Sequence, residues 1–259
     1  MRMSIPIGYP YLFFLLFVRI LAFLASAPFF SQRVVPTQAK IGLAFLLAFV
    51  LAPSSPTPFV PDSDMAFFAV LVQEILIGLL LGFVAMLPVL AVGLVGTLVA
   101  GAMGMSYASS ISPLFPESTT PMSQLYTQLA ILVFLLVRAD HVLLIGLQRM
   151  VDLMPPGQFL SDVIGLSDGL LIDRILAFTS RLWEVSLQMA LPVIGVVLLA
   201  DLALVLISRA MPRMNVFSQS LPLKVAMGLI AIFLSLPYFW PQVAAEMDKT
   251  GQQMLMLFR

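Results

Sequence analysis

Residues 75–116 read ILIGLLLGFVAMLPVLAVGLVGTLVAGAMGMSYASSISPLFP, a run of 42 residues without Asp, Glu, Lys or Arg. A helix needs about 20 mostly apolar residues to cross the hydrocarbon layer of a membrane, which is about 30 Å thick. At about 1.5 Å per residue, one helix over the whole run would be about 63 Å long. We therefore expect the run to be interrupted, with a kink at Pro88 and a break near residues 93–96.

Five further apolar segments carry few charged residues or none, and they cover residues 8–30, 41–61, 118–137, 170–207 and 225–245. They are rich in Leu and Ala and lack the apolar–polar alternation that is typical of membrane β-strands. The sequence therefore predicts an all-α protein of the integral membrane type. We expect about six apolar helical segments, arranged as helical hairpins with short connections.

The composition of the 259 residues excludes several classes of function. Apolar residues make up 61% of the chain and charged residues 10%, against about 45–50% and about 25% in soluble domains. Thirteen basic and thirteen acidic residues cancel, so the basic surface of a nucleic-acid-binding protein is absent. With no cysteine, one histidine and no nucleotide-binding or hydrolase motif, the sequence predicts neither an enzyme nor a metal or cofactor site.

Glycines and methionines are concentrated towards the end of the uncharged run. Small residues let helices approach closely in a membrane, and methionine fills irregular gaps. Close packing accounts for both. The alternative is a hinge beside a pore, with Gly101 and Gly104 as hinge residues and Met103 and Met105 as a deformable seal on the pore side.

Residues 106–121, SYASSISPLFPESTTP, have the composition of a loop between two apolar segments. This loop nevertheless keeps large apolar side chains at Tyr107, Ile111, Leu114 and Phe115. Irregular backbone at membrane depth is tolerated inside protein or along a cavity. The sequence leaves two interpretations open, an external loop and a re-entrant loop that plugs a channel.

Two further groups of residues are candidates for function. Ionisable side chains are costly within apolar segments. We therefore expect the ionisable candidates to pair with one another or with partner chains, and these candidates are Arg19, Glu74, Arg138 and Asp201. Residues 208–224 carry three basic residues and no acidic one, which indicates a cytoplasmic loop by the positive-inside rule. The candidate partner-docking residues of this loop are Pro212, Asn215, Phe217, Pro222 and Lys224.

The run MPRMNVFSQSLPLK at residues 211–224 resembles a hallmark of the FliR family, the R subunits of flagellar type III export gates. Arg19, the run QEILIG at 73–78 and the run ALP at 190–192 follow the family pattern in order. Asp140 departs from it, because a Gly-His pair is expected at 140–141. The injectisome counterpart, the SctT family of virulence secretion, shares this pattern.

The resemblance implies a non-enzymatic subunit of a hetero-oligomer with five P subunits, four Q subunits and one R subunit. This export gate would lie in the bacterial inner membrane, within the flagellar basal body. It would pass unfolded flagellar proteins across the membrane, with an FlhB-type switch protein docked on its cytoplasmic side and membrane lipid around it. The resemblance divides the chain into a P-like part at 1–184, a Q-like helical hairpin at 185–245 and a C-terminal tail at 246–259. It also favours the plug interpretation of loop 106–121.

Three other functions stay open at this point. An injectisome export gate would use the same chain architecture with a different substrate set. A small-molecule permease would have an inverted repeat and a binding site at the membrane midplane. An assembly factor without a conduit would be dispensable once the P and Q subunits had assembled.

Overall fold

The computed structural model describes residues 8–32, 35–54, 63–105, 120–157, 170–211 and 216–256. Regular secondary structure in these ranges is helical throughout, with no strand, and the predicted all-α class is confirmed. The helices are α1 Gly8–Ser26, α2 Thr37–Leu51 with a 3₁₀ turn Ala52–Ser54, α3 Asp64–Ala102, α4 Pro121–Leu136, α5 Ala139–Leu153, α6 Leu170–Ala210, α7 Val216–Asp248 and α8 Thr250–Met256.

Within the described residues, four helices are long and apolar enough to cross a membrane: α1, α3, α6 and α7. The pair α4–α5, which is bent by 70°, makes a fifth candidate if it is counted as one span. Each of the six apolar segments predicted from the sequence contains a helix. Two of these helices are shorter than a full span. They are α2, which has 15 residues and is followed by the 3₁₀ turn at Ala52–Ser54, and α4, which has 16.

The expected break near residues 93–96 is wrong, because α3 continues for 39 residues with Pro88 inside it. The glycines there make room for a neighbouring helix instead of ending the helix. A Cβ atom on Gly96 would lie 2.7 Å from Cα of Ser123 in α4. The helix ends at Ala102, just before Gly104, whose φ of 77° is left-handed.

The length of uncharged segments does not predict helix α5, because this helix is amphipathic. Leu143, Leu147 and Met150 are buried on one face, at the spacing of successive helical turns. Arg149 and Asp152 are exposed on the other. A helix with charged residues on its exposed face contains no long uncharged run, so charge-free length alone does not predict it.

The chain divides into two compact units. The first comprises the described residues of 1–87, 138–179 and 248–259, and the second those of 88–137 and 180–247. One boundary lies within α3, between Leu87 and Pro88, and another within α6, between Thr179 and Ser180. The division at residues 184 and 185 that the FliR resemblance implies stays a prediction.

Candidate functional site

A buried ion pair lies in the first unit, between helices α1 and α3. The side chains of Arg19 and Glu74 are fully buried, and Arg19 Nε donates a hydrogen bond to Glu74 Oε2. Arg19 Nη1 donates to the carbonyl oxygen of Met154 at 2.7 Å. The N–H of Gly157 donates to Glu74 Oε1 at 3.1 Å. We call these four residues the buried clasp, because they join α1, α3 and the chain after α5.

Two glycines bring α1 and α3 close enough to form the clasp. Gly78 and Gly82 follow Glu74 at successive helical turns, so they share its face of α3. A Cβ atom on Gly78 would collide with the backbone oxygen of Arg19 and lie 2.8 Å from Cβ of Ala22. The pattern Glu-x-x-x-Gly-x-x-x-Gly therefore supplies one buried charge and the close approach that its partner requires.

The other two ionisable candidates lie elsewhere. Arg138 is exposed and has a left-handed φ of 57° at the N-terminus of α5. Asp201, in the second unit, pairs with the docking candidate Lys224 through Oδ1 and Nζ at 2.7 Å. The structure thus joins two residues that the sequence had assigned to separate groups. This pair joins α6 to α7, and both side chains are partly exposed.

Polar contacts between α3 and α4 explain part of the glycine-rich region. Thr97 Oγ1 donates to Ser123 Oγ at 3.1 Å, and Ser123 Oγ donates to the carbonyl oxygen of Gly93 at 3.2 Å. A Cβ atom on Gly93 would lie 2.8 Å from Thr127 Oγ1. These contacts support the packing interpretation for the glycines at 93 and 96.

The end of α3 differs from this packed region. Gly101 is exposed, and a Cβ atom added to it would meet nothing within 4 Å. Met103 is fully buried, and Met105 is half-buried. Gly104 donates its N–H to the carbonyl oxygen of Gly101 at 3.0 Å. Glycine at 101 is therefore not required by packing, and glycine at 104 is required by its backbone conformation.

Several predicted site residues lie outside the described residues. These are the plug candidates Tyr107, Ile111, Leu114 and Phe115 and the docking candidates Pro212 and Asn215. Phe217 belongs to the first turn of α7, and Pro222 is exposed on the same helix. In the part of the chain that is described, no group of three or more His, Asp or Glu side chains is arranged to hold a metal ion.

A second ionic cluster, which the sequence alone does not predict, joins α6 and α7. Arg181 of α6 contacts Glu184 at 3.0 Å and Glu246 of α7 at 3.3 Å. The spacing of three residues between Arg181 and Glu184 was the available sequence signal. The contact to Glu246 joins residues 65 positions apart, so it depends on how α6 and α7 pack.

The two ionic clusters bracket an apolar part of the α6–α7 hairpin. Arg181 and Asp201 are 20 residues apart, and Lys224 and Glu246 are 22 apart. These separations correspond to about 30 Å and about 33 Å along a helix, close to the ~30 Å hydrocarbon thickness. The exposed apolar side chains between them include Leu191, Leu198, Leu199, Phe233 and Leu234.

Residues 11–250 match the sequence model of a protein family described as bacterial export proteins, family 1. The chain belongs to this family. The resemblance predicted from the motifs is confirmed, and the chain is a membrane-type helical protein of the export apparatus.

Three relatives illustrate the range of the match. Flagellar biosynthetic protein FliR of Escherichia coli (strain K12) is 34% identical over 233 residues, which cover 89% of this chain and 86% of the relative. FliR of Bacillus subtilis (strain 168) is 31% identical over 222 residues, covering 86% and 85%. The secretion system apparatus protein SsaT of Salmonella typhimurium is 28% identical over 186 residues, covering 72% and 70%.

Proposed function

We propose that this chain is the R subunit of a flagellar type III protein export gate in the bacterial inner membrane. The observation that carries the proposal is the family match over residues 11–250, together with 34% identity to the E. coli protein named FliR. One copy assembles with five P and four Q subunits. The complex passes unfolded flagellar proteins outward, and the subunit has no catalytic role of its own.

The apolar surface of the α6–α7 hairpin supports an assembly role. Phe233 and Leu234 of α7 and Leu199 of α6 are each more than 60% exposed. Large apolar surfaces of this kind mark contacts with protein or membrane. The P and Q subunits and lipid cover this hairpin in the gate.

Loop 106–121 is the plug of the closed channel in this proposal. The glycines and methionines at 101–105 lie directly before it, and Thr120, which accepts a hydrogen bond from the N–H of Ser123 at 3.3 Å, caps α4 after it. The loop is therefore connected to two helices with defined ends. At rest, Ile111, Leu114 and Phe115 occupy the pore, and the neighbouring methionines close around them.

Native mass spectrometry and complementation test the subunit assignment together. The chain is co-expressed with its operon neighbours, and the purified complex is weighed. One copy bound to several copies of two small membrane proteins supports the proposal. A homo-oligomer that excludes those proteins, combined with no restored export in a strain lacking its R subunit, contradicts it and favours the permease.

The plug is tested by deleting residues 109–118 and measuring ion leakage in cells that express the full gate. Leakage should rise, because the apolar side chains that exclude ions are removed. The control variant Gly42→Ala adds a methyl group where nothing lies within 4 Å, and it leaves the loop intact. Normal assembly of the deletion variant with unchanged leakage would contradict the plug.

We also propose that segment 208–224 docks the FlhB-type switch protein and the Q subunits. Photocrosslinkers at Phe217 and Lys224 should yield adducts with these proteins. Adducts with lipid alone would count against docking.

The 28% identity to SsaT supports an injectisome gate as a second candidate. Expression in a flagellar mutant and in a virulence-secretion mutant separates the two. Restored flagellar export alone supports the first proposal, and restored virulence secretion alone supports the second.

A further inference from the structure

The side chain of Met103 joins the end of α3 to α7. Met103 is fully buried, and it lies against Gly228 of α7. A Cβ atom built on Gly228 would collide with Cε of Met103 and lie 2.9 Å from its Cγ and 3.0 Å from its Sδ. The methionine therefore occupies the space that a side chain at 228 would need.

Two glycines lie close to Met103 in the chain, one on each side of it. Gly101 precedes it by two residues, with nothing within 4 Å of its Cβ position, and Gly104 follows it with φ of 77°. Glycine loses more conformational freedom on ordering than other residues. Packing does not require glycine at 101, and the left-handed φ requires it at 104. The conformational freedom of the two glycines would let the segment around Met103 move, with Met103 as its anchor.

Helix α7 connects this anchor to the hairpin turn. Gly228 lies four residues after Lys224, one helical turn further along α7. Lys224 in turn is paired with Asp201 of α6 at 2.7 Å. A displacement of the first turns of α7 would therefore be transmitted over a short distance to the contact with Met103.

We propose that Met103 and Gly228 form a latch that is closed in the resting gate and opens when substrate is exported. The inference rests on the proposed function, and it adds Gly228 and the start of α7 to the parts that control the channel. Met103 leaves the space beside Gly228 as the segment 101–105 moves. The flexible, unbranched side chain of methionine suits a contact that is made and broken repeatedly.

Because this chain has no cysteine, a disulfide within it can form only between introduced residues. In the variant Met103→Cys/Gly228→Cys, the two Cβ atoms lie no more than about 4.4 Å apart, the sum of the 2.9 Å distance to Met103 Cγ and a carbon–carbon bond of about 1.5 Å. This separation is compatible with a disulfide. Mild oxidation of the assembled gate should therefore link α3 to α7.

The expected result is formation of the bond on oxidation, loss of export of flagellar proteins, and recovery of export on reduction. In each single-cysteine variant, export should be the same with and without the oxidant, because a single cysteine cannot form this bond. Failure of the disulfide to form in the assembled gate would overturn the contact. Continued export by a gate in which the disulfide is fully formed would overturn the opening step.

A steric variant tests the latch if the cysteine pair does not assemble. Gly228→Ala should displace Met103 and increase ion leakage through the resting gate. The matched control Gly195→Ala lies in α6 where an added Cβ meets nothing within 4 Å, and its leakage should equal that of the unchanged gate. Equal leakage from both variants would overturn the latch.

The design separates failure of the latch from failure of the proposed function. Complementation by the unchanged chain reports on its role in export. Disulfide formation in the purified complex reports on the Met103–Gly228 contact alone. A chain that restores export but tolerates the closed disulfide refutes only the latch.

Discussion

The buried clasp of Arg19 and Glu74 predicts strong non-additivity between two substitutions. In Arg19→Met, the carboxylate of Glu74 loses its charged partner in a fully buried site. In Glu74→Met, the guanidinium of Arg19 is left without its partner in the same way. The double variant removes both charges and places two flexible apolar side chains between α1 and α3.

The magnitude follows from the contacts. Breaking a buried pair by removing one member costs about 3–5 kcal/mol, because the remaining charge is uncompensated. Each single variant also leaves one backbone group unpaired, the buried Met154 oxygen or the half-buried Gly157 N–H, at about 1–3 kcal/mol. Each therefore loses about 4–8 kcal/mol. The double variant leaves two backbone groups unpaired and no charge, and it loses only about 2–6 kcal/mol.

The assay is equilibrium unfolding of the purified chain in mixed detergent micelles with increasing sodium dodecyl sulfate. The free energy of unfolding is compared across the unchanged chain, both single variants and the double variant. Arg149→Met is the matched control, because this arginine is exposed on α5 in the same unit. It should change the free energy by less than about 0.5 kcal/mol.

Two results would refute this reasoning. Single variants that each lose less than about 1 kcal/mol would mean that water or another group compensates the charge left behind. Additive losses would mean that the two side chains do not interact in the folded protein. Either result would remove the clasp as the reason for a charged residue inside α1.

Three further predictions concern packing and surface pairs. Gly78→Ala should lower the free energy of unfolding by about 1–3 kcal/mol in the same assay, because the added Cβ collides with α1. In the control Gly42→Ala, the added Cβ meets nothing within 4 Å, so the free energy should stay the same or rise by up to about 1 kcal/mol. Ser123→Ala should lower the free energy of unfolding by about 1 kcal/mol, because it removes the hydrogen bonds to α3. The control Ser123→Thr keeps the hydroxyl, and an equal loss in this variant would mean that side-chain shape matters more than the hydrogen bonds. Lys224→Met should lose only about 0.2–1 kcal/mol, because its partner Asp201 is 41% exposed; a larger loss, measured by the same unfolding curve, would mean that the pair is shielded from water.

Charge-free length predicted most of the helices and failed in two instructive places. It missed α5, where Arg149 and Asp152 face outward while Leu143 and Leu147 are buried. It also placed a break at residues 93–96, where the helix continues. A glycine in sequence is compatible with both a break and a close helix contact, and only the position of the neighbouring helix distinguishes them.

The candidate site was predictable in its residue types and only partly in its partners. Arg19 and Glu74 stand out as charges in apolar surroundings, and the structure joins them. Asp201 and Lys224 also pair, although the sequence assigned them to different groups. The sequence does not predict the contact of Met103 with Gly228, because neither residue type indicates a specific contact more than 120 positions away in the chain.

The sequence by itself determined the membrane-type composition, the helical class and the family, because these depend on which residues are present and on their order along the chain. Tertiary structure alone decided which charges meet, which glycines admit a neighbouring helix and which methionine is anchored. The physical reason is range: helix formation and transfer into an apolar environment act within one segment. A buried charge needs a partner from another segment, and the space beside a glycine is filled by atoms of another segment. Packing of the helices brings those atoms to within a few ångströms.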